Sequence, residues 1–169
     1  MPAPQFSVNA YRFDPYRTFK FQVVIDNVVV AGMNKATGLK TTMEAVDWRS
    51  SIDQSYKRKL IGGATYDAIT LDQGLSHDPI FQDWINLVNN IDGDASMSLT
   101  SFRKDIVINL LNLQGAPVLS YKVFRAWPSE FQAMPDLDAG NTNTVGIQML
   151  KLENEGWRID DSVTEPTES

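Results

Sequence analysis

Most of the chain alternates apolar and polar positions with the two-residue period that is typical of β-strands. The alternation is clearest from Thr18 to Ile25, where every second residue is Phe, Val or Ile. The pair Asp26 and Asn27 follows, and short Asx side chains favour a tight turn. Residues 28–31 are again apolar and predict the returning strand. We therefore expect an antiparallel hairpin near the N-terminus.

Further segments have strand character, and they are separated by turn residues. These predicted strands cover residues 36–47, 66–71, 106–111, 118–124 and 144–153. Residues 112–117 predict a hairpin connection, and Trp127-Pro128 predicts the end of the strand before it, because proline restricts the backbone around it. In the strand at 144–153, Gln148, Leu150 and Leu152 share one face.

Residues 49–63 differ from the segments on either side, because their hydrophobic period is weak. They carry Arg49, Lys57, Arg58 and Lys59 ahead of two consecutive glycines. A long stretch of this kind predicts a loop between strands, and long loops in compact domains tend to be functional.

One helix is predicted over residues 76–90. Asp78 is placed to cap its free backbone donors, and Pro79 suits the first helical turn. The apolar residues recur at spacings of three and four, as expected for a helix with one buried stripe. The stripe consists of Ile80, Phe81, Trp84, Ile85, Leu87, Val88 and Ile91. We expect this stripe to pack against a sheet.

Composition narrows the class of protein. The 169 residues, 43% of them hydrophobic, suit one globular domain. There is no cysteine, which excludes disulfides, thiolate metal sites and cysteine nucleophiles. The net charge of -6 argues against specific nucleic-acid binding, and part of the acidic excess lies from Glu153 onward. No segment has the apolar length of a signal peptide or a membrane span, so we expect synthesis in the cytoplasm and no membrane insertion.

Groups that suggest chemistry are few. His77 beside Asp78 is interpreted as part of a helix entry rather than a catalytic relay. Asp136 and Asp138 lack the spacing of a calcium loop. Residues 57–63 lack the Gly-Lys-Ser/Thr ending of a phosphate-binding loop and are not followed by a predicted helix. The tryptophans at 48, 84, 127 and 157 are interpreted as core or interface anchors rather than a stacking platform. We therefore predict no catalytic residues, no metal and no cofactor.

An ordered set of phrases resembles the inner tube proteins of contractile phage tails and related injection systems. The phrases are DPYRTFKF at 14–21, GL at 38–39, KLIG at 59–62, ITLDQGL at 69–75, RKDIVINLLN at 103–112, GAPV at 115–118, FRAWP at 124–128, LDA at 137–139 and EGW at 155–157. No single phrase is specific to the family. The resemblance depends on the order of the phrases and on the predicted helix between the phrases at 69–75 and 103–112. Residues after Trp157 match no phrase of the family.

The resemblance implies a mainly β fold: an antiparallel sandwich or small barrel with one flanking α-helix. It implies a division into an N-terminal arm (1–13), a tail-tube domain (14–157) and an acidic C-terminal tail (158–169). It also implies hexameric rings, stacked into a tube around a lumen, in which neighbouring sheets form one wall. Ring closure would pair sheet edges that an isolated copy leaves open.

The partners implied are further copies of the chain, a sheath protein, baseplate and tube-cap proteins, and cargo in the lumen of a phage-tail-like particle. The interface residues expected between subunits and rings are Asp14, Pro15, Tyr16, Arg17, Arg49, Lys57, Arg58, Lys59 and Leu60. Two alternatives stay open: a baseplate or tube-initiating paralogue of the same fold, and a ligand-binding β-barrel or enzyme. The number of copies in isolated particles would distinguish a tube subunit from a baseplate paralogue. A deep apolar pocket within the monomer would favour a ligand-binding barrel or an enzyme.

Overall fold

The computed structural model describes residues 16–52, 54–93 and 99–164. In chain order the described elements are β1 (Phe21–Ile25), β2 (Val28–Val29), β3 (Met33–Ala36), β4 (Thr41–Trp48), β5 (Arg58–Tyr66), β6 (Ile69–Gly74), α1 (Ile80–Val88), β7 (Lys104–Leu111), β8 (Pro117–Gln132), β9 (Ile147–Glu153) and β10 (Trp157–Ile159). Every strand pairing is antiparallel. The predicted fold class, mainly antiparallel β with a flanking helix, is confirmed.

Eight strands form one large sheet whose two halves share β8. The first half has the order β2-β1-β7-β8, with β10 also pairing with β8, and the second has the order β8-β9-β6-β3. The remaining strands, β4 and β5, pair only with each other and form a separate two-stranded sheet. The body of the molecule is therefore the large sheet, and β4 and β5 are an addition to it.

The long strand β8 changes partner in its middle. Residues up to Ala126 pair with β7, and residues from Trp127 onward pair with β9. Just before this change, at an irregularity of the β7 ladder between Val123 and Ala126, Arg125 has a positive φ of 49°, and its amide donates a hydrogen bond to Oδ1 of Asp105 at 2.9 Å. Local irregularities of this kind let one strand pass from one sheet to another.

The predicted stop at Trp127-Pro128 is wrong, because β8 continues to Gln132. Pro128 is fully buried and lies beside an irregularity in the ladder with β9, between Pro128 and Glu130. Proline occurs inside sheets at such irregularities, where its missing N–H breaks no regular ladder bond.

The first hairpin forms as predicted. Asp26 and Asn27 have positive φ values of 50° and 62°, the conformation that a tight hairpin turn requires. The returning strand β2 is only two residues long, and Val30 continues it by donating its amide hydrogen to the carbonyl of Val23 at 2.9 Å.

The region from residue 36 to residue 71 differs from its prediction. The expected strand at 36–47 is divided between the end of β3 and β4, and the expected loop at 49–63 contains most of β5. The expected strand at 66–71 is divided between the end of β5 and β6. The physical reason is exposure: almost every residue of β4 and β5 is exposed, so neither strand shows the alternation that burial of one face produces.

The helix is shorter than predicted and its entry is capped as expected. The Ile80 amide donates to Oδ1 of Asp78 at 3.1 Å. Phe81 and Trp84 are buried, and Trp84 Nε1 donates to the carbonyl of Phe102 at 2.7 Å. Ile91 is 98% exposed, so the predicted stripe does not reach it.

One apolar core joins both halves of the large sheet to α1. It is made of Val23, Ile25, Val30, Ile69, Leu71, Phe81, Trp84, Ile106, Val123, Ala126, Leu150 and Leu152. In β9 the buried positions are Gln148, Leu150 and Leu152, the face predicted from their alternation. Within the described residues, no helix has the length and apolar character that crossing a bilayer requires.

A pair of buried glutamines crosses this core. Gln148 Nε2 donates to Oε1 of Gln73 at 2.6 Å, and the two residues are opposite each other in the β6–β9 ladder. Gln73 Nε2 donates in turn to the carbonyl of Ala31 at 2.7 Å and lies 3.3 Å from Oδ2 of Asp78. The network ties the second half of the sheet to the helix entry.

The strand β10 is not anticipated by the sequence pattern. It continues the sheet beside β8 through Ile159, two residues beyond the last phrase of the resemblance. Trp157 packs edge-on against Tyr121 with ring centroids 5.9 Å apart. Its indole Nε1 is buried and has no hydrogen-bond partner among the described residues.

Candidate functional site

The two strands β4 and β5 form a hairpin that lacks a core of its own. From Thr42 to Trp48 every residue of β4 is exposed, and in β5 only Gly62 and Tyr66 are partly covered. An isolated two-stranded hairpin is at best marginally stable in water, and such sheets need a third strand or a packed face. Within the described residues, this hairpin has neither a third strand nor a packed face.

One face of the hairpin is mainly apolar. Val46 is opposite Leu60 and Trp48 is opposite Arg58 in the antiparallel register, so these four side chains share a face. The Arg58 guanidinium lies over the Trp48 ring, 5.7 Å from its centroid. Val46, Trp48 and Leu60 are 44%, 47% and 51% exposed. We call Val46, Trp48, Arg58 and Leu60 the apolar hairpin face.

The opposite face is charged. Asp47 is opposite Lys59, with 3.4 Å between the Lys59 Nζ and an Asp47 carboxylate oxygen, and Lys57 Nζ lies 3.9 Å from the same carboxylate. All three side chains are well exposed, so these ion pairs contribute little to stability. The same face also carries Ile61, which is opposite Ala45 and is 84% exposed, so the two faces differ in charge but both expose apolar side chains.

A bulge shapes the hairpin at its glycine pair. The register shifts between Met43 and Ala45, where Glu44 is opposite Gly62 and Gly63. A Cβ atom at Gly62 would lie 3.0 Å from the Glu44 carbonyl oxygen and 3.1 Å from its Cβ, whereas one at Gly63 would have no atom within 4 Å. A side chain at Gly62 would therefore press on the facing β4 strand, whereas one at Gly63 would not.

The predicted interface residues fall into three groups. Lys57, Arg58, Lys59 and Leu60 come together at the start of β5, and Arg49 directly follows β4. Tyr16 and Arg17 precede β1 of the large sheet, where Arg17 is exposed and Tyr16 is partly covered. Asp14 and Pro15 lie outside the described residues. Their participation in an interface stays a prediction.

The sequence analysis did not include Val46 in this surface, and it interpreted Trp48 only as a core or interface anchor. They belong to it only through cross-strand register with Leu60 and Arg58, which no local pattern reveals. The available signal was Trp48 itself, a large aromatic residue in a polar stretch next to the basic cluster. Large aromatic residues with this much exposure are typical of interfaces.

A second feature is an open groove of about 610 Å³ on the outer side of the first sheet half, lined in part by Arg103, Lys104, Lys122 and Arg158. Its cations have partners. Lys104 Nζ lies 2.6 Å from an Asp26 carboxylate oxygen, Arg103 pairs with Glu155, and the Arg158 guanidinium lies 5.3 Å from the Phe124 ring centroid.

The fourth cation of the groove, Lys122, has Asp160 as its partner, with 3.2 Å between Nζ and the carboxylate. Hydrogen bonds from the Ser162 hydroxyl at 2.6 Å and the Ser162 amide at 3.1 Å, together with Lys122, lower the pKa of Asp160. The groove is therefore built from compensated charges that fix β10 and the residues after it to the sheet.

Two residues that suggest chemistry in the sequence, His77 and Asp138, lie at the helix entry and in a turn. His77 is exposed just ahead of α1. Asp138 closes a turn, because its carboxylate accepts the Gly140 amide hydrogen at 2.9 Å. In the part of the chain that the structure describes, no three His, Cys, Asp or Glu side chains are grouped as a metal site would require.

Comparison with solved structures gives the same fold. One chain of the extracellular contractile injection system PVC, in its sheath–tube complex in the extended state, superposes with a TM-score of 0.71 at 23% identity, covering 86% of this chain and 91% of that one. One from the PVC sheath/tube terminator gives 0.72 at 23% identity, covering 87% and 97%. One from the tube-terminating cap of the anti-feeding prophage gives 0.72 at 24% identity, covering 92% and 99%.

No curated protein sequence matches the chain. A sequence model of the T4-like virus tail tube protein gp19 family, in contrast, matches residues 17–158, which include every described strand from β1 to β9 and most of β10. The match covers the body of the fold, the hairpin and the helix together. The chain therefore belongs to the T4-like virus tail tube protein gp19 family.

Proposed function

We propose that this chain is the repeating structural subunit of the inner tube of a contractile phage tail or phage-tail-like injection system. Six copies would close into a ring, and rings would stack around a lumen. Membership of the tail tube family supports the tube role. The observation that supports the assembly is the hairpin of β4 and β5, whose apolar side chains Val46, Trp48 and Leu60 are 44%, 47% and 51% exposed.

The edges of the large sheet also support assembly. The edge strands β2, β10 and β3 contain two, three and four residues, and each is paired on one side only within the described residues. Sheet edges in water invite further strands, and natural proteins either block or pair them. Closure into a ring gives each edge a neighbour, as a heterologous interface with closed symmetry does.

The proposed work is mechanical. A sheath contracts around a preassembled tube and drives it through a target envelope, with cargo in the lumen. The proposed partners are further copies of the chain, a sheath protein, and baseplate and cap proteins. Related chains occur in a sheath–tube complex, in a baseplate and in a tube-terminating cap, which supports these partners. The arm at 1–13 and the tail at 158–169 are proposed as additional contacts between rings or with the sheath.

The fold similarity also suits a second candidate function, that of a terminator or baseplate paralogue. TM-scores to the tube, the tube terminator and the cap are 0.71, 0.72 and 0.72, so the shape of the subunit does not separate them. The number of copies in isolated particles does, because a tube subunit greatly outnumbers a protein that starts or ends the tube.

The proposed function is tested by electron microscopy of the purified chain over a wide range of concentrations. We expect rings or tubes for the natural sequence and for Leu137→Asp, a control in which an equally apolar exposed residue outside the hairpin is changed. We expect Leu60→Asp to remain monomeric with an unchanged circular dichroism spectrum. Monomers of the natural sequence at every concentration would contradict the proposal.

A further inference from the structure

The hairpin of β4 and β5 is connected to the body of the molecule at its base. Among the described residues from Thr42 to Thr65, all but Ser50 and Gly62 are exposed, so the body covers little of the hairpin. At the base, the Asp67 amide donates a hydrogen bond to the Lys40 carbonyl at 3.1 Å and brings the two arms together. Contacts at this base therefore have a large share in setting the direction in which the hairpin leaves the body.

One side-chain amide bridges the hairpin base and the link between β9 and β10. Asn154 Nδ2 donates to the Asp67 carbonyl at 3.1 Å, and Asn154 Oδ1 accepts the Gly156 amide hydrogen at 3.2 Å. A carboxamide has a donor end and an acceptor end, and here each end has a partner of the matching kind. Asn154 is 87 positions from Asp67 in the chain, so this hydrogen bond joins the hairpin to a distant segment.

Close packing supports the same junction. Tyr66, the last residue of β5, lies against Gly156, which is buried. A Cβ atom at Gly156 would lie 3.4 Å from Cζ of the Tyr66 ring. The φ of Gly156 is 141°, in the region that favours glycine, so a side chain there would be strained as well. Glycine at this position lets the base of the hairpin lie close to the link between β9 and β10.

The link itself is held to the middle of β8. The Phe124 amide donates to the Gly156 carbonyl at 2.8 Å, and the Glu155 amide donates to the Phe124 carbonyl at 3.1 Å. The Glu155 carboxylate also accepts a hydrogen bond from Arg125 Nη1 at 3.1 Å. This is the place where β8 passes from one half of the sheet to the other. The Asn154 amide therefore projects from a segment that is fixed to both halves.

We propose that Asn154 is a positioning residue, which fixes the direction of the β4–β5 hairpin relative to the large sheet and thereby controls assembly. The statement about assembly rests on the proposed function, whereas the statement about direction concerns the single chain. The 9 residues of β5 span about 30 Å. A rotation of about 10° at the base displaces the far end by about 5 Å. Apolar side chains in contact lie within about 4.5 Å of each other, so this displacement breaks such contacts.

Distances between two spin labels test the direction of the hairpin, because the natural chain has no cysteine to compete for the label. Ser51→Cys places one label beyond the end of β4, and Gln132→Cys places the other at the end of β8; both positions are exposed. Pulsed electron paramagnetic resonance gives the distribution of distances, at concentrations where sedimentation shows a monomer. We expect one narrow distribution with Asn154 in place. Asn154→Ala should broaden or shift it by about 5 Å or more.

Two further variants separate the bond to the hairpin from the bond within the link. Asn154→Asp keeps an oxygen that accepts the Gly156 amide hydrogen but cannot donate to the Asp67 carbonyl, so we expect the same change as for Asn154→Ala. Asn141→Ala is the matched control, because Asn141 Oδ1 accepts the Asn143 amide hydrogen at 3.2 Å within one loop. We expect this control to keep the narrow distribution.

Assembly is followed by electron microscopy of unlabelled chains that carry the same substitutions at positions 154 and 141. We expect Asn154→Ala to form tubes only at a protein concentration about tenfold above that of the natural chain. The melting temperature of its monomer should fall no further than that of Asn141→Ala. A residue that only stabilised the fold would lower the melting temperature without changing the distance distribution, and that result would overturn the inference.

The remaining outcomes separate the inference from the proposed function. A natural distance distribution for Asn154→Ala or for Asn154→Asp would overturn the positioning role and leave the tube intact. A broadened distribution with unchanged tube formation would overturn the control of assembly. A natural chain that forms no tubes at any concentration would contradict the proposed function, whereas the distances in the monomer would still decide whether Asn154 positions the hairpin.

Discussion

The same substitution at two tryptophans is expected to destabilise the fold in one case and to leave its stability nearly unchanged in the other. Trp84 is 1% exposed and donates its indole hydrogen to the Phe102 carbonyl at 2.7 Å. Trp157 is partly covered, and its buried Nε1 has no partner among the described residues. Replacing each by phenylalanine therefore removes a satisfied donor in one case and an unsatisfied donor in the other.

The magnitudes follow from burial and hydrogen bonding. Trp84→Phe loses about three buried ring atoms, at about 0.8 kcal/mol for each CH2-sized group, or roughly 2 kcal/mol. The lost hydrogen bond adds about 1 kcal/mol, which gives roughly 3 kcal/mol of destabilisation. Trp157→Phe loses about half as much apolar burial, roughly 1 kcal/mol, and gains at least about 1 kcal/mol from removal of the unpaired donor. Its net effect is within about 1 kcal/mol of zero.

Urea unfolding followed by far-ultraviolet circular dichroism measures both changes, because each transition is fitted with the folded and unfolded baselines of its own variant. The measurement is made where sedimentation shows the chain to be monomeric, so that assembly does not add to stability. Equal slopes of the unfolding transitions confirm that the free energies are comparable. A loss for Trp157→Phe as large as that for Trp84→Phe would refute the assignment of its Nε1 as an unsatisfied donor.

Three further predictions follow from the contacts above. Gly62→Ala should weaken tube assembly in electron micrographs without lowering the melting temperature of the monomer, whereas Gly63→Ala should do neither. Gln73→Met should cost about 2–4 kcal/mol in urea unfolding, because Gln148 loses its acceptor and a backbone carbonyl loses its donor. The pKa of Asp160 is lowered from its ordinary value of 3.8, so its ionised carboxylate should stabilise the fold at pH values above 3.8. The difference in unfolding free energy between the natural chain and Asp160→Asn should shrink as the pH falls below that value.

The parts of the fold that the sequence predicted are those with one buried face. In β9 the buried positions Gln148, Leu150 and Leu152 alternate with half-covered ones, so the pattern records the geometry directly. In β1 the same holds for Val23 and Ile25. Burial of one face imposes the two-residue period, and the period is then visible in the sequence.

The parts of the fold that were not predicted do not show the two-residue period that burial of one face produces. In the described structure β5 is exposed on both faces, and the sequence was interpreted as a loop. The continuation of β8 past Pro128 depends on a ladder irregularity between two sheet halves, which is set by tertiary packing. The apolar hairpin face depends on the register between β4 and β5, so a basic cluster was predicted at Lys57–Leu60 without Val46 and Trp48.

The shared strand β8 has a mechanical consequence for the proposed tube. Two separately stacked layers can slide past each other under axial compression by breaking only side-chain packing. Here sixteen consecutive residues, Pro117–Gln132, are hydrogen-bonded to β7 along their first part and to β9 along their second. Relative sliding of the two halves therefore has to rupture backbone ladders, and the subunit resists thrust as a single piece.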